Sequence, residues 1–131
     1  MQKIKEKLVL SKNDYEIIRS NIRNHQGSFN RQDAEELIIE LKKARLVLPD
    51  EVPPDVVRLN SRVIIRDEKE NKLIEISVVT PEKADMKQRR ISVLSPIGTA
   101  LIGYRKGDKV RWKVPAGLKT FTILEVEFND G

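Results

Sequence analysis

Three acids in one short stretch are the first candidates for chemistry. Asp33, Glu35 and Glu36 lie close enough to hold a divalent cation if their carboxylates converge. They also open a helix-like segment, where negative charge complements the helix dipole, and that structural role suffices for them. His25 is the only histidine. It sits in the polar turn "NHQGSFN", residues 24–30, with no acid beside it to orient it as a general base. Ser92 and Ser95 have no base within sequence reach, so neither reads as a nucleophile. "GYRKGDK" has two glycines but neither phosphate-loop nor dinucleotide spacing, and Gly107-Asp108 reads as a tight turn. There is no cysteine, hence no disulfide and no thiolate metal site. The residues point to no catalytic group, no resident metal and no cofactor, and the expectation is a protein that is not an enzyme.

Binding is better served. The chain carries 25 Lys and Arg against 20 Asp and Glu, a net charge of +5. Residues 1–58 are nearly balanced, with 11 basic and 10 acidic side chains, and residues 59–131 hold 14 and 10. Arg89 and Arg90, next to Lys87, and then Lys109, Arg111 and Lys113 on one alternating segment, offer a basic surface that can follow a phosphate backbone. Only six aromatic residues occur, which leaves few stacking platforms for bases. A nucleic-acid-binding module using this basic strand face is therefore the alternative reading. No apolar run approaches the roughly 20 residues of a membrane span, and the N-terminus lacks a signal-peptide core, so a cytoplasmic protein without membrane contact is expected.

The elements that must hold these residues change character along the chain. "SKNDYEIIRSNIRN" places Tyr15, Ile18 and Ile22 at helical spacing, with Ser11 as N-cap. After the turn, residues 31–48 put Ala34, Leu37, Ile38, Leu41 and Arg45 along one stripe, extended by Leu48, with Asn30 as cap. Two helices joined by a short turn predict an antiparallel hairpin over residues 1–48. Pro49, Pro53 and Pro54 make residues 49–58 a stiff linker. Residues 59–131 then read as strands: "SRVIIRD", "LIEISVV", "RRISVLS", "KVRWKV" and "TFTILEVEF". Ile74, Ile76 and Val78 are expected on one buried face, as are Val110, Trp112 and Val114, and then Leu124, Val126 and Phe128. "DEKENK" is a hairpin loop, and "PIGTALIGY" is a short helix covering the sheet, with Leu101 and Ile102 in the core and Ile97 undecided. The fold class is α+β: a short helical hairpin followed by an antiparallel sheet domain with one packed helix.

"ISVLSPIGTALIGYRKGDKVRWKVPAGLKTFTILEVE" resembles the C-terminal domain of the Gre transcript-cleavage factors. The residues that carry the likeness are Ser95, Pro96, Ala100 and Leu101, then Gly107 and Asp108, then Pro115 and Gly117. "DEVPPDVVRLNSRVIIRD" resembles the matching stretch of the short members of that superfamily, the Rnk-type regulators of nucleoside diphosphate kinase. The likeness covers about residues 50–128. It implies an FKBP-like domain behind a coiled-coil-like arm. It also implies docking at the rim of the RNA polymerase secondary channel, against a coiled coil of the largest subunit, through Ser95, Pro96, Ile97 and Ala100, with nucleic acid within reach in the complex. FKBP-like folds include prolyl isomerases, but Tyr104, Trp112 and Phe121 are too few to line their aromatic pocket.

Gre factors stimulate RNA cleavage through two acids at the tip of a long hairpin. Here the tip, residues 24–30, contains no acid. A helix over residues 31–48 would span only about 27 Å at 1.5 Å per residue, roughly half the arm the resemblance implies. The expectation is polymerase binding without cleavage stimulation, with either competition against Gre factors or other secondary-channel ligands, or stabilisation of a polymerase state, as its effect. The pattern sets neither the oligomeric state nor the sign of the effect on transcription.

Overall fold

A computed structural model describes residues 8–24, 39, 41–114 and 117–128, without the side chains of Asn24, Trp112, Lys113 and Val114. The chain starts with a short strand, β1 (Val9–Ser11), that runs directly into helix α1 (Lys12–Asn24). Ser11 caps the helix: its Oγ accepts from the Asp14 backbone N–H at 2.9 Å. Ile18 and Ile22 are buried and Tyr15 packs at the margin of the core, as their spacing predicts. The tip and most of the second predicted helix, with Asn30, Asp33, Glu35 and Glu36, lie outside the described residues. Ile39 and residues 41–43 are helical.

The expected second helix does not run to Leu48. Arg45–Val47 is a strand, β2, paired in parallel with β1, and the Arg45 N–H donates to the Leu8 carbonyl at 2.6 Å. The periodic stripe reached Leu41, which is buried, but Leu48 is exposed. A waiting strand edge outcompetes weak helix propensity in "RLV", because β1 supplies backbone partners that a last helical turn lacks.

Five strands form the main sheet in the order β5-β4-β3-β7-β6. They are β3 (Ser61–Asp67), β4 (Leu73–Val79), β5 (Arg90–Ser92), β6 (Lys109–Val114) and β7 (Gly117–Phe128). The β3–β4 hairpin closes over residues 67–72, where the Asp67 carboxylate accepts from the backbone N–H groups of Lys69 and Glu70. The antiparallel expectation fails at one edge, where β5 is parallel to β4. A parallel pair needs a connection that carries the chain back to its starting end. Two 3₁₀ turns, Pro81–Lys83 and Met86–Gln88, lie in that connection.

On β7 the inward face changes phase. Ile64 pairs with Glu125, yet Ile65 pairs with Ile123, so Leu124 is the extra residue of a bulge. Phe121 and Ile123 are buried, while Leu124 and Val126 are only half-buried and Phe128 is exposed. This corrects the expected inner set of Leu124, Val126 and Phe128: beyond the bulge, towards Gly117, the core residues shift by one.

Helix α2 (Pro96–Leu101) packs on the sheet, with Leu101 and Ile102 fully buried. Ile97, undecided from the sequence, is a core residue at 8% exposure. One apolar cluster runs from Leu10, Ile18 and Leu41 through Val57 to Val63, Ile65, Leu101 and Phe121. The Pro-rich stretch 49–58 takes part in it. Val56 and Val57 are buried, Val57 exchanges backbone hydrogen bonds with Gly103 and Tyr104, and Asp55 pairs with Arg105 at 3.1 Å.

Candidate functional site: the α2 cassette and its cleft

The cassette begins at a tight turn after β5. Val93 and Leu94 anchor it in the core, and the Ser92 Oγ accepts from the Leu94 N–H at 3.0 Å. Ser95 is the N-cap of α2. Its Oγ accepts from the Gly98 N–H at 3.2 Å and donates to the Ser92 carbonyl at 2.6 Å. Pro96 follows at the first helical position, where its missing N–H costs nothing. Gly98 lies so close to the preceding turn that a Cβ there would stand 2.2 Å from the Ser92 carbonyl oxygen. The helix therefore rests with its backbone on the end of β5, and the Ser95–Pro96 corner is held rigidly at the surface.

The four residues expected to dock do not all face outward. Pro96 is exposed, Ser95, Thr99 and Ala100 are half-buried, and Ile97 is turned into the core. Ser95, Pro96 and Ile97 nevertheless share one wall of a surface cleft of about 300 Å³. Its other lining residues include Ala84, Met86 and Ile91. Sequence reasoning missed all three. Ile91 was legible only as a strand residue, and Ala84 and Met86 lie in a connection with no periodic signal.

The expected basic surface splits. Arg89 and Arg90 belong to the β5 edge, and Lys109, Arg111 and Lys113 to β6 at the opposite edge. Four strand spacings, about 19 Å, separate the two edges. Acids occupy the ground between them: Arg62 pairs with Glu75 at 2.8 Å and with Glu127 at 3.4 Å, and Lys106 pairs with Glu125 at 3.2 Å. Glu68 lies near Lys109, accepts from the Thr122 hydroxyl and pairs with Arg66 at 3.3 Å. The Thr122 hydroxyl is the main cause that holds the Glu68 carboxyl below its ordinary range.

Titratable groups elsewhere have structural partners. The Glu70 N–H, with that of Lys69 and the Lys119 ammonium, holds Asp67 low against the cost of desolvation. Asp67 in turn raises Lys119, 3.3 Å away. Among the described residues, no three His, Asp or Glu side chains stand together as a metal site. None of the described helices is long and apolar enough to cross a membrane.

Comparisons with known proteins agree with the geometry. The family model described as "Transcription elongation factor, GreA/GreB, C-term" matches residues 50–128. The chain is 38% identical over 96 residues to the Regulator of nucleoside diphosphate kinase of Escherichia coli K12, covering 72% of this chain and 71% of that one. Transcription elongation factor GreA of Syntrophotalea carbinolica is 34% identical over 106 residues, covering 81% of this chain and 66% of that protein. Among solved structures, a GreA/GreB elongation factor from Nitrosomonas europaea superposes with a TM-score of 0.78 at 34% identity, over 95% of this chain and 100% of that one. Gfh1 of Thermus thermophilus, at 21% identity and a TM-score of 0.51, shares the fold. With its matched region spanning the sheet, the cassette and the strap that ties them, the chain belongs to the GreA/GreB family of transcription elongation factors, together with its Rnk-type members.

Proposed function

We propose that the protein is an RNA polymerase-binding regulator of the Gre/Rnk type. It docks through the α2 cassette at the secondary-channel rim, against a coiled coil of the largest subunit, and does not stimulate transcript cleavage. The observation that carries this reading is the cleft beside Ser95, Pro96 and Ile97 in a chain of this family. A capped, proline-started corner seated on backbone is a preorganised surface, and preorganisation lowers the entropic cost of binding. The sheet with one packed helix supports the FKBP-like description of residues 59–131.

The absence of cleavage stimulation rests on the arm. Residues 24–30 carry no carboxylate that could help to hold a metal ion in the polymerase. The described part of α1, Lys12–Asn24, spans about 20 Å, and the chain has returned to β2 by Arg45. The return of β2 to the side of β1 supports an antiparallel hairpin over residues 1–48. Such an arm occupies the channel mouth and excludes other ligands of the same rim, so the protein competes with Gre factors in the cytoplasm, where polymerase works. Lys109, Arg111 and Lys113 on the far edge are the groups available to nucleic acid within the complex. No cofactor takes part.

The test is capture of purified core RNA polymerase by the wild-type chain and by Pro96→Asp and Ala100→Glu. Ile97 is left intact, because a charge at that buried position would unfold the cassette. Binding by wild type and loss in both folded variants is the expected result. Stalled elongation complexes should keep their transcripts intact when the protein is added, and should be protected from cleavage by a Gre factor. Robust cleavage by this protein alone would overturn the second half of the reading, and no capture of polymerase the first.

A further inference from the structure

The β6 edge of the main sheet leaves a ladder of backbone groups open. β5, at the other edge, has three residues. β6 has six, and its register with β7 runs unbroken from Lys109 opposite Thr122 to Val114 opposite Gly117. The Ile123 N–H donates to the Asp108 carbonyl at 2.9 Å, which sets the phase of the pair. Residues 108, 110, 112 and 114 therefore turn their N–H and C=O groups towards β7, and residues 109, 111 and 113 turn theirs outward. Among the described residues no sixth strand meets them. Sheet edges are ordinarily blunted by shortness, a bulge, a proline within the strand or charge, and of these β6 has only charge.

That charge selects the partner. Lys109 and Arg111 are exposed, and among the described residues neither is held in an ion pair. Glu68, near Lys109, is committed to Arg66 and the Thr122 hydroxyl. A second copy of the chain is the wrong occupant. Antiparallel pairing of two such edges joins outward-bonding residues to outward-bonding residues, so positions 109, 111 and 113 meet only one another. All three are basic, and like charges directly opposite each other destabilise a sheet. Acids at alternate positions of a foreign strand stand opposite Lys109 and Arg111 instead. The residues between those acids fall on the other face of the sheet, beside the buried Val110, where α2 packs against β6. That ground suits apolar side chains. A phosphate backbone meets the cations but leaves the open N–H and C=O groups unused.

We propose that β6 accepts an extended segment of a partner protein as an antiparallel sixth strand, and that this segment alternates carboxylates with apolar side chains. Backbone hydrogen bonds to residues 109, 111 and 113 supply affinity, and Lys109 and Arg111 read the acids. The cleft beside α2 is lined by Arg90, Ile91 and Ser92 of β5, at the opposite edge of the sheet. Strand addition at β6 and polymerase docking are therefore independent of one another.

The probe is the peptide acetyl-Thr-Glu-Val-Glu-Val-Glu-Thr-amide, titrated into the full-length chain at low salt while amide hydrogen exchange is followed by NMR. In the free protein the Lys109 and Arg111 N–H groups should exchange rapidly and that of Val110 slowly. Peptide at saturation should slow exchange at Lys109 and Arg111. N-methylation of the peptide's Glu amides, which face β6 in this register, should weaken binding by about tenfold or more, because the ladder is lost while the charge stays. N-methylation of its Val amides, which face solvent, should leave affinity within about twofold. The double variant Lys109→Glu, Arg111→Glu should weaken binding by about tenfold or more. Lys83→Glu, in the turn between β4 and β5, should bind within about twofold of wild type. Equal affinity for the peptide methylated at Glu means that charge alone holds it, and overturns the sixth strand; this arm needs no protein variant. An oligothymidylate that binds more tightly than the peptide gives the edge to nucleic acid and overturns the protein partner. No binding at a peptide concentration of about 1 mM overturns the proposal altogether and leaves the cations as guards against self-pairing.

Discussion

Asp14 sits at the start of α1 with 8% of its surface exposed, and its Oδ2 accepts from the Leu59 N–H at 3.1 Å. Burial raises its pKa above the ordinary value, with the Leu59 N–H, the nearby Arg58 charge and Ser11 opposing the shift. A carboxyl whose pKa is raised by folding takes up its proton more readily in the native state. It therefore contributes most stability below the ordinary carboxylate range, and that contribution is lost as pH rises through the native value. Asp14→Asn keeps an acceptor for Leu59 without a buried charge. Its urea midpoint at pH 7 should exceed that of wild type, and the gap should close as pH falls towards 4. A lower midpoint at pH 7 would mean that Arg58 and the helix dipole outweigh desolvation. Asp14→Ala, by contrast, leaves the Leu59 N–H without its acceptor and should cost about 1–3 kcal/mol. Ser11 could be identified as a cap from the sequence because capping is local chemistry. The clamp from Asp14 to Leu59 could not, since it joins positions 45 residues apart. Met86 was hidden for a related reason: an exposed residue in a turn leaves no periodicity.

Elements were legible where their pattern was internally consistent. β3 has the limits expected from alternation and keeps one phase from end to end, and β4 and β6 also have the expected limits. β7 does not. Its two halves carry different inward sets around the bulge at Leu124, and a single alternating template fits the wrong half. The consequence can be measured. Ile123→Ala should destabilise by about 2–5 kcal/mol as a buried truncation, whereas the half-buried Leu124→Ala should cost about 1 kcal/mol or less. Equal effects in chemical denaturation would contradict the shifted phase. The second predicted helix failed at its end because β2 is defined by pairing with β1, a partner that periodicity cannot see. α2 carries the sharpest element-level constraint. With 2.2 Å between a Cβ at position 98 and the Ser92 oxygen, Gly98→Ala must push the helix off β5. The overpacking should cost about 1–3 kcal/mol by urea titration and should weaken polymerase capture, as the Ser95–Pro96 corner moves with the helix. A glycine within a helical pattern is the signal that marks this position in the sequence.

At the scale of the whole molecule, the arm and the sheet are joined more tightly than a proline-rich linker suggests. Composition separates residues 1–48 from 59–131, and the break at 49–58 is visible by eye. What composition cannot show is that this strap is itself buried, or that the root of the arm shares the core. Val9 donates to the Gly103 carbonyl at 3.4 Å, just past α2, and Gly103 donates to Val57 at 3.0 Å. Leu10, Ile18 and Leu41 stand in the same cluster as Phe121 and Ile123. A force on the root of the arm is thus passed to the loop that ends α2. If the two parts form one cooperative unit, Ile18→Ala should lower the unfolding midpoint of the sheet as well as of the helices. The single tryptophan, on β6, reports the sheet, and far-ultraviolet circular dichroism reports the whole chain. Both probes should move together, by the about 2–5 kcal/mol of a core truncation. A Trp112 transition that stays in place while the helical signal shifts would make the arm a separate unit. The contacts at Val57 and Gly103 would then not couple the stability of α1 to that of the sheet.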